Sequence, residues 1–241
     1  MIEIILLVSS ILFIFALKLF GRPSTAHRAN TFAMLAMALA VFSAFNFDFS
    51  KYDSAFYITI VVSGLLGVLI SKRVQMTQMP ELVGLFNGFG GGASGAIAYV
   101  ELSGNSLPLS DVFVAIFSMV IGIFTFSGSL VAVMKLRGKL NNFNKKLADV
   151  FSVFLPTIIV IPAVLEMDDL LMEFIILVAL IAGVIRVAVI GGADMPVVIA
   201  FLNSLSGIAA MSAGFIVNSI ILIVAGALAV SYTHLTLPTK A

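Results

Sequence analysis

Nine apolar runs divide this chain, at residues 2–20, 31–47, 54–71, 80–100, 111–134, 147–165, 170–190, 195–214 and 216–230. A hydrocarbon core of roughly 30 Å is crossed by about 20 residues of α-helix, and inside it every backbone polar group must be bonded within the segment or to a neighbour. Runs of this length and number leave one class open, an all-α, polytopic transmembrane helix bundle of about nine helices. The last run is truncated: Phe215 to Val230 is 16 residues, about 24 Å of helix and short of the core. The first run carries Glu3 where a cleaved leader would be basic. It is also too long for a leader's apolar region, so it reads as a retained spanning helix.

Composition agrees with burial in lipid. The chain is 61% apolar and 10% charged, against roughly 45–50% and 25% in soluble domains. A net charge of +1 points to no nucleic-acid partner. Without cysteine there is no disulfide or thiolate metal site, and no other metal-ligand spacing, P-loop or nucleophile triad is present. The connectors alternate in charge. Those after the first, third and fifth runs hold Lys18, Arg22 and Arg28, then Lys72 and Arg73, then Lys135, Arg137, Lys139, Lys145 and Lys146, with Arg186 near the connector after the seventh. The others hold Asp48 and Asp53, Glu101 and Asp111, and Glu166, Asp168, Asp169 and Glu173, with Lys51 their only base. By the positive-inside rule the amino terminus lies outside and the carboxyl end in the cytosol.

The fourth run contains "GFGGGASG", a literal G-x-G-x-x-G at Gly90, Gly92 and Gly95. A dinucleotide fingerprint needs a strand before it, a helix after it and an acid about 20 residues on. Here "MPELVGLFN" precedes it and the nearby acid is Glu101, six residues past Gly95. The glycines are expected instead to form a helix-packing surface, with Gly84, Gly88, Gly92 and Ala96 on one stripe and Gly91 and Gly95 beside it. Asn87 stands next to that surface. The eighth run repeats the pattern, since Pro80 and Asn87 are spaced as Pro196 and Asn203 are. Two helical turns put each amide about 10 Å inside its helix. Each asparagine alone is an ordinary interhelical hydrogen bond. A matched pair at similar depth, with Ser94, Ser204 and Ser206 nearby, points to a polar track for water or ions. An amide does not titrate, so it serves such a track only beside a group that does. Asp194, in "GGADMP", is either the N-cap of the eighth helix and a partner of Arg186 or a carboxylate gate at the cytoplasmic mouth. Glu81 is either a first-turn dipole partner or a second mouth carboxylate. His27 is expected in a solvated loop, and Met76, Met79, Met195 and Met211 are ordinary apolar residues.

The segments "QMTQMPELVGLFNGFGGGAS", "GIFTFSGSLVAVMKLRGKL" and "IGGADMPVVIAFLNSLSGIAAMSAGF" resemble the membrane portion of the beta subunit of proton-translocating nicotinamide nucleotide transhydrogenase. The resemblance implies proton translocation coupled to hydride transfer between NAD(H) and NADP(H), catalysed in two soluble cytosolic domains outside this fragment. It places Asp194, Asn203 and Ser206 on the proton pathway or its cytosolic link. Asn87 falls where many members have the histidine proposed to carry the proton. The titratable histidine is then expected on a membrane helix of an alpha-type partner subunit. The resemblance also implies a bacterial inner membrane, a dimer of alpha-beta units, and no catalytic or cofactor-binding residue in this fragment.

After Val230 the chain reads "SYTHLTLPTKA", which resembles a translated sequencing-adapter read-through. Residues 1–230 are therefore expected to be the transmembrane proton-translocating domain and 231–241 a foreign tail, with the C-terminal NADP(H)-binding domain absent. The rival reading is a stand-alone secondary transporter with a midplane site between the fourth and eighth helices.

Overall fold

The computed structural model describes residues 2–44, 52–104, 107–140 and 169–236. Among these are eight α-helices and no strand: α1 (Ile2–Phe20), α2 (Ala26–Ala44), α3 (Ser54–Arg73), α4 (Met79–Gly104), α5 (Leu109–Leu136), α6 (Asp169–Ala188), α7 (Met195–Ile216) and α8 (Ile220–Thr236). The expected sixth span, 147–165, lies outside the described residues, so α6, α7 and α8 are the seventh, eighth and ninth runs. Helices α1, α3, α5, α6 and α7 are long and apolar enough to cross a membrane. Helix α4 is 26 residues long but has seven glycines and Asn87 where a simple span would carry aliphatic side chains. The chain is a multi-pass membrane protein.

The described residues fall into two compact units, Met1–Gln78 and Met79–Ala241. In the first, α1 and α2 pair through small residues. Ala16, Ala29 and Ala36 are fully buried, and the buried Ser9 hydroxyl donates to the Ala36 carbonyl at 2.8 Å. Phe15 and Phe32 meet edge to face at 5.1 Å. Helix α2 begins at Ala26, five residues ahead of its apolar run, because Thr25 closes the connection by donating to Leu19 O at 2.5 Å. His27, expected in a loop, therefore sits exposed in the first turn of α2, where its carbonyl accepts from Thr31 Oγ1 at 3.2 Å. Helix α3 starts at Asp53, whose carboxylate accepts from Phe56 N–H at 3.0 Å, and ends on Lys72 and Arg73, the arrangement the helix dipole favours.

In the second unit α5 is the hub, packed against α4, α6 and α7, while α7 also packs on α4 and α8. One cluster joins Val131 and Ala132 of α5 to Ala182 and Val187 of α6 and Met195, Ile199 and Leu202 of α7. A second joins Ala98 of α4, Ile116 and Met119 of α5, and Ile175 and Ala179 of α6. In lipid such clusters hold by close packing rather than by exclusion of water. Outward side chains such as Val83, Phe86, Phe89 and Phe201 are more than half exposed, an apolar surface fit for a bilayer. Helix α5 ends in a Schellman turn: Gly138 takes φ +65°, its N–H donates to Lys135 O, and Lys139 N–H donates to Met134 O. Only glycine occupies that left-handed position without cost.

The glycine run lies wholly inside α4 and none of it forms a strand-to-helix turn. Gly84 faces Val133 and Ile199, Gly88 faces Ser129, Gly91 faces Gly122 and Thr125, Gly92 faces the Phe126 ring, and Gly95 faces Ile123. The descending partner numbers show that α4 and α5 are antiparallel. All five glycines lie against neighbouring helices, but the expected stripe is corrected. Ala96 is exposed and the buried seam runs Gly84, Gly88, Gly91, Gly95, Ala98, drifting around the helix as a period below four requires. The ninth run also shifts. Asn218 takes φ +52° between α7 and α8, so the helix expected from 216 begins at Ile220 and continues past Val230 to Thr236. Asparagine tolerates that backbone better than most residues.

Candidate functional site

Helices α4, α7 and α8 border an open cavity of about 420 Å³, lined by Val83, Phe86, Asn87 and Gly90 of α4, by Asn203, Ser206, Gly207 and Ala210 of α7, and by Ala225, Gly226 and Ala229 of α8. Both asparagines of the repeated "MP" motif thus line one space. Gly90 contributes no side chain, which leaves Ser206 Oγ 3.6 Å from the point where a Cβ would stand. Gly207 and Gly226 bring α7 and α8 into backbone contact beside the cavity, since a Cβ on Gly207 would stand 2.7 Å from Gly226 O.

The polar groups hold each other in place. The Asn87 amide nitrogen donates to Ser129 Oγ on α5 at 3.0 Å, and Ser206 Oγ donates to the Asn87 backbone carbonyl at 3.2 Å. Asn203 Nδ2 reaches Ala229 O on α8 at 3.4 Å. An interhelical bond therefore accounts for one end of the Asn87 amide and leaves the other unexplained. Asn87 is 9% exposed, and its Oδ1 is one of two buried side-chain polar atoms among the described residues with no partner. A buried acceptor left unmade costs about 1–3 kcal/mol. None of the lining residues is ionisable.

The remaining expected residues distribute around this space. Ser204 is half-buried and does not line the cavity, one residue and about 100° of helix from Asn203. Ser94 donates to Gly90 O within its own helix at 3.0 Å. Glu81, 17% exposed, pairs with Arg137 Nε at the end of α5 at 2.6 Å. Asp194 occupies the N-cap position of α7 without a side-chain capping bond, and it is exposed. Among the described residues the expected Asp194–Arg186 pair is not found; the Arg137 guanidinium pairs with Glu81 instead. Glu81 and Asp194 nevertheless stand at the starts of α4 and α7, the same end of the bundle.

Several residues of the site carry no clear mark in the sequence. Ser129 is 42 positions from Asn87 and lies among Thr125 and Ser127, a polar cluster in an otherwise apolar helix and the one signal that pointed to it. Lys135 is 5% exposed, and its ammonium donates to Ile190 O at 2.5 Å. It thereby pins the connection that carries Gly191, Gly192 and Asp194. Nothing in the sequence distinguishes it from the other basic residues of its connector.

Comparison with known proteins decides the family. The NAD(P) transhydrogenase beta subunit profile matches residues 2–237. The chain belongs to the NAD(P) transhydrogenase beta subunit family. It is 32% identical, over a 237-residue alignment, to NAD(P) transhydrogenase subunit beta of Rhodospirillum rubrum, covering 92% of this chain and 51% of that protein. The same protein from a named strain of that species aligns with the same figures. The chain spans about half the length of the curated relatives it matches.

Proposed function

We propose that residues 1–230 form the proton-translocating membrane part of a transhydrogenase beta subunit, and that the α4–α7–α8 cavity is a segment of its proton path. The observation that carries this reading is that Asn87 and Asn203 line one cavity with no ionisable lining residue, the Asn87 Oδ1 being a buried acceptor without a partner. Such a site orders a donor but cannot titrate. In this reading the titrating group is a histidine on a membrane helix of an alpha-type subunit, and Asn87, Asn203 and Ser206 orient water beside it. Glu81 and Asp194 form the cytoplasmic mouth, with the amino terminus outside. Ser204 lies behind the path. Proton flow is coupled to hydride exchange between NAD(H) and NADP(H) in domains beyond these residues, and the assembly is a dimer of alpha-beta units in a bacterial inner membrane.

Asn203→Leu in the complete alpha-beta enzyme tests it. Leucine removes donor and acceptor and leaves an apolar plug, so proton-coupled reverse transhydrogenation is expected to fall about tenfold or more, a barrier increase of about 1.4 kcal/mol. Cyclic hydride exchange, which moves no net proton, is expected to persist. A mere packing bond is worth about 0.6 kcal/mol, and its loss would lower both activities together through poorer assembly. Undiminished coupled turnover at normal expression would reject the reading.

A further inference from the structure

The second unpartnered buried polar atom is Thr125 Oγ1 on α5, and the residue is fully buried. Hydroxyls in apolar helices usually bond back to a carbonyl of the preceding turn, and this chain follows that habit. Ser10 donates to Leu6 O, Ser94 to Gly90 O and Ser127 to Phe124 O, while Ser118 donates across to Ala209 O. Thr125 departs from it. Its Cβ and methyl group press on the bare face of Gly91, 3.0 and 3.2 Å from where a Cβ would stand, so the methyl makes the helix contact and the hydroxyl is left over. Thr125 lies one turn from Ser129, as Gly91 lies one turn from Asn87, and both steps lead away from the Pro80 end. Gly91 is 11 residues past Pro80, about 16 Å along the helix and near the middle of a roughly 30 Å core.

We infer that Thr125 is a further proton-relay residue of the proton path, holding an internal water one turn, about 6 Å, deeper than the Asn87–Ser129 pair. This rests on the cavity being part of that path. A hydroxyl both donates and accepts, so Oγ1 can take a proton from a water on one side while its own O–H bond breaks toward a water on the other. The hydroxyl is restored, one proton has moved, and nothing is oxidised or consumed. Asn87 and Asn203 orient water but cannot relay in this way.

Thr125→Val tests the inference in the complete alpha-beta enzyme in proteoliposomes, beside Thr125→Ser and Asn203→Leu. Valine keeps the shape and removes the hydroxyl; serine keeps the hydroxyl. The expected result is a loss of about tenfold or more in coupled proton transport for Thr125→Val, retained cyclic hydride exchange, and substantial recovery in Thr125→Ser. If the hydroxyl is an idle, unsatisfied group, Thr125→Val will instead transport normally and melt higher, since removing a buried unpaired polar group relieves its cost. That outcome, with Asn203→Leu impaired, overturns the role of Thr125 alone. Normal coupling in both variants overturns the cavity reading as well. Should Thr125→Val fail to assemble, an experimental structure of the unmodified enzyme at a resolution showing water decides. A water at about 2.7–3.0 Å from Oγ1 supports the inference, and a Thr125 hydroxyl bonded to its own helix instead overturns it.

Discussion

Replacing Gly91 by alanine puts a methyl group 2.9 Å from the Gly122 carbonyl oxygen and 3.0 Å from Thr125 Cβ. Neither opposing atom is the end of a flexible side chain, so α4 and α5 must separate. Overpacking of this kind costs about 1–3 kcal/mol, partly offset by the roughly 1 kcal/mol that alanine gains over glycine in a helix. Gly67 of α3 has nothing within 4 Å of its would-be Cβ, so Gly67→Ala takes the propensity gain alone. Between the two variants propensity cancels, and Gly91→Ala is expected to be less stable by about 1–3 kcal/mol. For a chain of this size that is about 2–4 °C of melting temperature per kcal/mol, measured by thermal unfolding in detergent. A Gly91→Ala protein melting at or above Gly67→Ala would refute close backbone packing at this seam.

Because the chain has no cysteine, single introduced cysteines report topology: Ser103→Cys is expected to react with an impermeant maleimide from outside and Lys139→Cys only from the cytoplasmic side, and the reverse would overturn the orientation. Lys135→Met removes the ammonium from Ile190 O, so a spin label at an Ala193→Cys site is expected to become more mobile, whereas an unchanged line shape would deny Lys135 its anchoring role. Residues 1–241 expressed alone are expected to show no NADP(H) binding by equilibrium dialysis, since their G-x-G-x-x-G sits inside α4; measurable binding would contradict that assignment.

Apolar run length by itself dictated the all-helical membrane class, because lipid supplies no hydrogen bonds and leaves the backbone little else to do. The equal Pro-to-Asn spacing similarly pointed to Asn87 and Asn203 as a pair, and both line one cavity. Flanking sequence also separated the glycine run from a nucleotide loop, since no strand precedes it. Spacing along one helix says nothing about which helix lies opposite. That Asn87 spends its amide nitrogen on Ser129 and keeps an unpaired oxygen was decided by α5, 42 residues away, and that Glu81 meets Arg137 rather than standing alone was decided by the same packing. The cavity itself exists because Gly207 and Gly226 draw α8 against α7 while Gly90 withholds a side chain, a conjunction of three helices that only tertiary contact could assemble.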